Sequence, residues 1–438
     1  TGATWSGQLT IDTAMPSGSA TVRVAGAIDG KSNIMAVFDT VEVFTLDTAR
    51  PTITGATPAM AASGVSVEVG EIDITFSEPL NLATVIGDNF QIHLGNTPLA
   101  QLSEPIYDEA TNTVRLLPEG GLLPGSQYNI EVSAALEDLA GNRPADATTW
   151  SFSTQVPALV ETSPAAGALD AAGDGRITAS FDAPLLTGIL ANADAVTVFA
   201  EGEAIALETD PIFDSATNTL VIQLPGDFRP GTRYDVALDG LLGGLLRAGS
   251  DGDFTWAFQT TTPQLVGQSP TDVVDADNRR IEAQFSTAID EELISTETVR
   301  ISREGEALKP IGFDFKDNTL SFEIDGGLKP GSRYEVTLAG QLAGPLRVIA
   351  DGDFTWAFQT TTPQLVGQSP TDVVDADNRR IEAQFSTAID EELISTETVR
   401  ISREGEALKP IGFDFKDNTL SFEIDGGLKP GSRYEVTL

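Results

Sequence analysis

The stretch LKPGSRYEV, from Leu328 to Val336, constrains this chain more than any other. It recurs unchanged from Leu428 to Val436, as FRPGTRYDV from Phe228 to Val236, and as LLPGSQYNI from Leu122 to Ile130. Pro-Gly supplies a tight reversal, and the alternation of Tyr with Val or Ile places two large side chains on the buried face of the strand that follows. That pattern is a corner of a β-sandwich. A Tyr entering a strand at such a corner packs its ring in the core and returns its hydroxyl to the turn. Tyr128, Tyr234, Tyr334 and Tyr434 are the four copies, so the chain is expected to be a string of similar domains.

The other segments repeat in the same order. Each unit opens on a Pro-bracketed segment, PTITGATP at Pro51, PALVETSP at Pro157 and PQLVGQSP at Pro263 and Pro363. Pro at both ends suits a short edge strand, because Pro removes a ladder donor. A period-two core strand comes next: Ile72, Ile74 and Phe76, then Ile177, Ala179 and Phe181, then Ile281, Ala283 and Phe285. A polar stretch such as DEELIS, from Asp290, reads as one helical turn, and a strand such as TVRIS, from Thr298, follows it. Turns at Asp108, Asp214 and Phe315 carry the Asn and Asp that hairpins use. Each unit closes on TWSFST or TWAFQT, in which Trp150, Trp256 and Trp356 share a face with a Phe two residues on and are expected to plug the core. The count is about seven strands per unit.

The expected divisions are the later half of a domain over residues 1–49, domains over 50–156, 157–262 and 263–362, and a domain over 363–438 that lacks its last strand. Residues 1–49 supply strands near Trp5 to Ile11, Ser19 to Ala25 and Thr40 to Leu46, with MPSG at Met15 as a corner without Tyr. The linkers are as short as QV at Gln155 and TT at Thr261 and Thr361. Two residues before a Pro leave little hinge freedom, so a semi-rigid extended rod is expected. Residues 251–338 are repeated residue for residue as 351–438. Such duplication is how a spacer is lengthened, not how an active site is refined. With Thr1 opening no signal peptide and neither end completing a unit, the chain reads as an interior piece of something larger.

Composition closes several alternatives. Against 26 Lys and Arg stand 65 Asp and Glu, a net charge of −39, which repels phosphates and anionic lipid and sets nucleic acid and membrane surfaces aside as partners. The absence of Cys removes disulfides, thiolate metal sites and Cys nucleophiles together. No run of about 20 apolar residues is present to cross a bilayer.

In this order, these motifs resemble the bacterial immunoglobulin-like domains found in tandem in S-layer proteins and giant surface adhesins. The carriers are the opening strand ending in Ser/Thr-Pro, FSEPL at Phe76 or FDAPL at Phe181, the DxxTNT turn, LxPGxxYxV, DLAGN at Asp138 and the closing WxF strand. The resemblance covers residues 51–438, and residues 1–49 look like a related type ending in DTxxP, Asp47 to Pro51. It implies an all-β fold of tandem immunoglobulin-like sandwiches and an extracellular or cell-surface location. The function it implies is a non-catalytic stalk holding a distal binding region away from the cell. Two alternatives are a segment of a surface filament or S-layer lattice, in which other copies of the chain are partners, and an accessory region of a secreted carbohydrate-active enzyme. Otherwise the partners are the neighbouring domains of the same chain.

Few residues invite chemistry. His93 is the only His and lies in an alternating stretch with Phe90, Ile92 and Leu94, which reads as an ordinary strand. No carboxylate pair stands out from the acidic background as a glycosidase site would. Calcium is the candidate cofactor. In the family fold the end of one domain abuts loops of the next, so Asp47, Glu78 and Asp138 are expected to converge at the first junction and offer oxygen ligands. Related adhesins use the DTxxP aspartate in this way, which supports Asp47 by resemblance. The linkers QV and TT carry no such aspartate. A second acidic spot, DADN at Asp275 to Asn278 and again at Asp375 to Asn378, with Asp251 and Asp253 nearby in sequence before the closing strand, reads as solvated turns. The apolar GLLGGLL, Gly240 to Leu246, lacks the Lys of a phosphate loop and reads as a packed connection before the closing strand.

Overall fold

The structure, a computed structural model, describes residues 7, 8, 10, 11, 14–39, 44–373 and 379–438. The unit over residues 50–156 shows how the sequence periodicities become layers. Its first sheet runs, in spatial order, Ile53–Thr57, Ile72–Phe76, Thr113–Leu116 and Ile106–Asp108. The second runs Thr148–Ser153, Gln127–Val132, Phe90–Leu94 and Thr97–Leu99. Every pairing between these strands is antiparallel, and the Pro-bracketed opening strand sits at a sheet edge. Period two then does the sorting: Ile72, Ile74 and Phe76 face Ile130, Val132, Trp150 and Phe152 in one buried cluster, while the intervening residues face outward.

The same two-sheet plan recurs over 157–262 and 263–362, each with its own core cluster. Residues 363–438 hold a smaller cluster and a three-stranded second sheet. In the first two of these full units there are eight strands rather than about seven. The extra one is a short edge strand, Thr97–Leu99 or Glu203–Ile205, folded back by a two-residue turn at Gly95-Asn96 or Glu201-Gly202. In the 263–362 unit the two residues Val273–Val274 also pair in parallel with Gln359–Thr360 of the closing strand. The helical turn expected in DEELIS is a 3-10 turn over Glu291–Leu293, capped by the Asp290 carboxylate accepting from the Glu292 N–H.

In the N-terminal part, Gly18–Ala20 pairs with Phe44–Leu46 and Arg23–Val24 with Phe38–Asp39. Most of the strand expected near Trp5, part of that at Thr40 to Leu46, and Asp375 to Asn378 lie outside the described residues.

The corners are alike in atomic detail. Tyr128, Tyr234 and Tyr334 are fully buried, each ring stacked on the Phe of the closing strand (Phe152, Phe258, Phe358) at 5.2–5.3 Å between centroids. Their hydroxyls accept from the N–H of Leu123, Arg229 and Lys329, at 2.7, 2.8 and 2.6 Å. Tyr434 makes the same bond with Lys429 N–H at 2.6 Å and is half-buried. Trp150, Trp256 and Trp356 lie in the cores, and the Trp356 indole donates to the Pro270 carbonyl at 3.1 Å. A buried Thr clasps each corner from behind: Thr154, Thr260 and Thr360 donate to the carbonyl of Leu123, Arg229 and Lys329, each at 2.6 Å. Burying an aromatic ring contributes about 1.5–3 kcal/mol, whereas a hydroxyl bond of this kind adds about 1 kcal/mol. The rings therefore carry the stability, and the hydroxyls set the shape of the turn.

Candidate functional site

The N-terminal part meets the 50–156 unit at a cluster of carboxylates. Asp47 follows the strand Phe44–Leu46 directly, and its Oδ1 accepts from Ser17 Oγ at 3.1 Å and from Ala49 N–H at 3.0 Å. Thr48 Oγ1 donates to the Met15 carbonyl, so the MPSG turn is clasped by a Thr as the later corners are. Glu78 lies just past the strand Ile72–Phe76, where Pro79 ends the ladder. Asp138 sits in the loop between Gln127–Val132 and Thr148–Ser153 and is 1% exposed. Its Oδ1 accepts from the N–H groups of Ala140 at 2.7 Å and Asn142 at 2.9 Å, and its Oδ2 from Asn142 Nδ2 at 2.8 Å. The loop thus folds around its own buried carboxylate. Asn142 Nδ2 also reaches the Asp47 carbonyl at 3.2 Å and ties the two segments together.

Three segments distant in sequence bring oxygens of Asp47, Glu78 and Asp138 within 4.8 Å of one another. Among the described residues, no ion pair takes up any of the three. Two carboxylates at such a distance repel by about 3–4 kcal/mol at an effective dielectric of 20. Burial, then the charges of Asp138 and Asp47, push the Glu78 carboxyl above its ordinary range. The donor set is all oxygen, with neither thiolate nor imidazole, and fits a hard cation such as calcium rather than a soft transition metal. The charge fits as well, since a divalent cation offsets the repulsion that adds to the effect of burial on Glu78.

The remaining candidates stand apart from this cluster. His93 lies on the strand Phe90–Leu94, opposite Asn129 and Pro98, beside a shallow surface recess shared with Thr149 and Ser151. Asp275 accepts from Thr361 Oγ1 at 3.1 Å, Asp253 accepts from Gly240 N–H at 2.9 Å, and Asp251 approaches Arg247 at 3.9 Å. These aspartates serve separate turns and pairs rather than one site. The apolar Gly240 to Leu246 forms a 3-10 turn, Gly240–Gly243, leading into a short helix, Leu245–Ser250, with Leu242 in the core. Asn142 and Ser17 take part in the acidic junction although the sequence reading gave them no role. The only signal for Asn142 was its place in DLAGN.

No curated protein matches the chain. Among solved structures, domains 1–6 of the surface layer protein SbsC align at 11% identity, covering 89% of this chain and 67% of that one, with a TM-score of 0.20. The I9–I11 tandem of titin aligns at 9% identity, covering 71% and 99%, with a TM-score of 0.29. PcoC, a methionine-rich copper resistance protein from Escherichia coli, aligns at 14% identity over 24% of this chain and 100% of its own, with a TM-score of 0.21. The bacterial Ig-like domain family matches residues 47–154, 155–260, 259–360 and 359–438, which is nearly the whole sequence. With its two-sheet units and their repeated corners, the chain belongs to the bacterial Ig-like domain family.

Proposed function

We propose that this chain is a non-catalytic structural segment of a bacterial cell-surface protein, a stalk that projects a distal binding region. The observation that carries the reading is the closed core of each full unit, with its Tyr, Trp and Phe turned inward and a short linker on either side. Duplication of residues 251–338 as 351–438 supports it, because lengthening a rod needs copies and not refinement. The net charge of −39 adds self-repulsion that favours extension. Family membership supports the surface location, and among the described residues no helix is long and apolar enough to cross a membrane.

Calcium at Asp47, Glu78 and Asp138 belongs to the same proposal. The three side chains would hold the ion, which would supply charge neutralisation between two units and no chemical step. Small-angle scattering of the full chain tests the stalk: an elongated particle is the expected result, and a compact globule would overturn it.

A further inference from the structure

The joints on either side of the 157–262 unit contain an interface that neither calcium nor the family description accounts for. At the first of them the corner Pro124-Gly125 meets the connection Gly243 to Leu246 of the next unit. A Cβ on Gly125 would overlap the Gly243 carbonyl and sit 3.1 Å from the Gly244 Cα. A Cβ on Gly244 would overlap the Pro124 carbonyl and sit 2.7 Å from the Gly125 Cα. Backbone therefore touches backbone, and the Leu246 N–H donates to the Gly125 carbonyl at 2.8 Å.

At the next joint the arrangement returns with different residues. A Cβ on Gly231 would overlap the Ala343 carbonyl, one on Gly344 would overlap the Pro230 carbonyl, and the Leu346 N–H donates to the Gly231 carbonyl at 3.0 Å. The two connections, GLLGGLL and GQLAGPL, share only Gly-x-Leu-x-Gly-x-Leu. What they keep are the atoms this contact needs. Leu242 and Leu342 anchor the connection in its own core, and two residues on, Gly244 and Gly344 take φ of +87° and +91°. Only glycine combines that backbone with so close an approach. The corner is equally prepared, since the Gly125 and Gly231 N–H groups donate to linker carbonyls of Gln155 and Thr261 at 2.8 and 3.0 Å.

We propose that the Pro-Gly corner is a docking surface whose partner is the Gly-x-Leu-x-Gly-x-Leu connection of a following unit, and that the paired glycines lock successive units at one angle without any ion. The corner is specific for a side-chain-free loop, so it selects which kind of unit can follow. The lock is a property of neighbouring units and stands whether the array serves as a stalk or in a lattice.

Because the chain has no Cys, spin labels can be placed at Glu109→Cys and Glu203→Cys, exposed positions on either side of the first of these joints. In the full chain, pulsed dipolar spectroscopy in chelator is expected to give one narrow distance peak. Gly125→Ala and Gly244→Ala should each abolish that peak in favour of a broad distribution, with the calorimetric transitions of both units retained. Gly120→Ala is the control: it has φ +78° and nothing within 4 Å of its would-be Cβ, so it places an alanine at positive φ without the clash. A broad distribution in the parent, a narrow one in the two lock variants, or equal broadening by the control would overturn the proposal. Should a lock variant unfold a unit, amide exchange on the unsubstituted chain decides. Leu246 and Leu346 N–H are expected to be protected, and exchange at the rate of free amides would overturn the lock.

Discussion

The joint before the 50–156 unit and the joint after it solve one problem in opposite ways. In both, the loop that precedes the closing strand reaches out to the preceding segment. Two residues after its buried Leu, that loop carries Asp138 in the 50–156 unit but Gly244 and Gly344 in the units that follow. The Asp is wrapped by its own loop and faces two further carboxylates, so this joint gathers negative charge and stands to gain from a cation. The glycines carry no side chain, so at the next joints backbone meets backbone with one hydrogen bond between the units. At these three joints, one position thus separates an acidic contact from a side-chain-free one.

Calcium should separate the two kinds of joint by the largest margin. At a calcium concentration 100 times the dissociation constant, the transition of the 50–156 unit should gain about 2.7 kcal/mol. Scanning calorimetry of the full chain with calcium and then chelator would show that transition rise and return, while those of 157–262 and 263–362 stay in place. Asp138→Asn should abolish the rise. Equal shifts in all units would mean that calcium binds the acidic surface at large and that the contrast between joints is wrong.

A smaller effect probes the glycine joint from inside. Tyr128 OH accepts from Leu123 N–H and so shapes the corner that Gly125 presents to the next unit. Tyr128→Phe leaves the ring in the core but orphans that N–H, at a cost of about 1–2 kcal/mol. The 50–156 transition should fall by several degrees, and the label distance across the following joint should broaden. A narrow distance retained in Tyr128→Phe would show that the glycine contact holds the corner without its hydroxyl.

The two joints also differ in how far the sequence discloses them. Tyr, Trp and alternating strand residues carry their burial in local periodicity, which is why the sheets and cores were legible. The acidic trio was legible only through the resemblance, since nothing local relates Asp47 to Asp138. The glycine lock was not. GLLGGLL reads as an apolar connection, because a glycine's reason for being small is an atom in another unit, here the Pro124 carbonyl. The available hint was that Gly244 and Gly344 persist where their neighbours change, set against an equally persistent Pro-Gly. Val273–Val274 was missed for a similar reason, as two residues are too few to show a period.

The smallest expected effect is on the pH dependence of the first joint, and its sign is informative. Glu78 has its folded-state pKa raised above the ordinary 4.5, first by burial and then by Asp138 and Asp47. A raised pKa means that the protonated form is favoured on folding, so its contribution is fully present below 4.5 and is lost as pH rises through the folded value. Without calcium, the 50–156 transition of the parent should therefore lose stability relative to Glu78→Gln across the range just above 4.5. With calcium the slope should invert, because the ion binds the ionised carboxylates and acid displaces it. The glycine contacts themselves are backbone against backbone, so the joint between 50–156 and 157–262 should show neither slope. If parent and Glu78→Gln ran parallel in both conditions, the carboxylates would be near one another without sensing one another, and the difference between the joints would be one of shape alone.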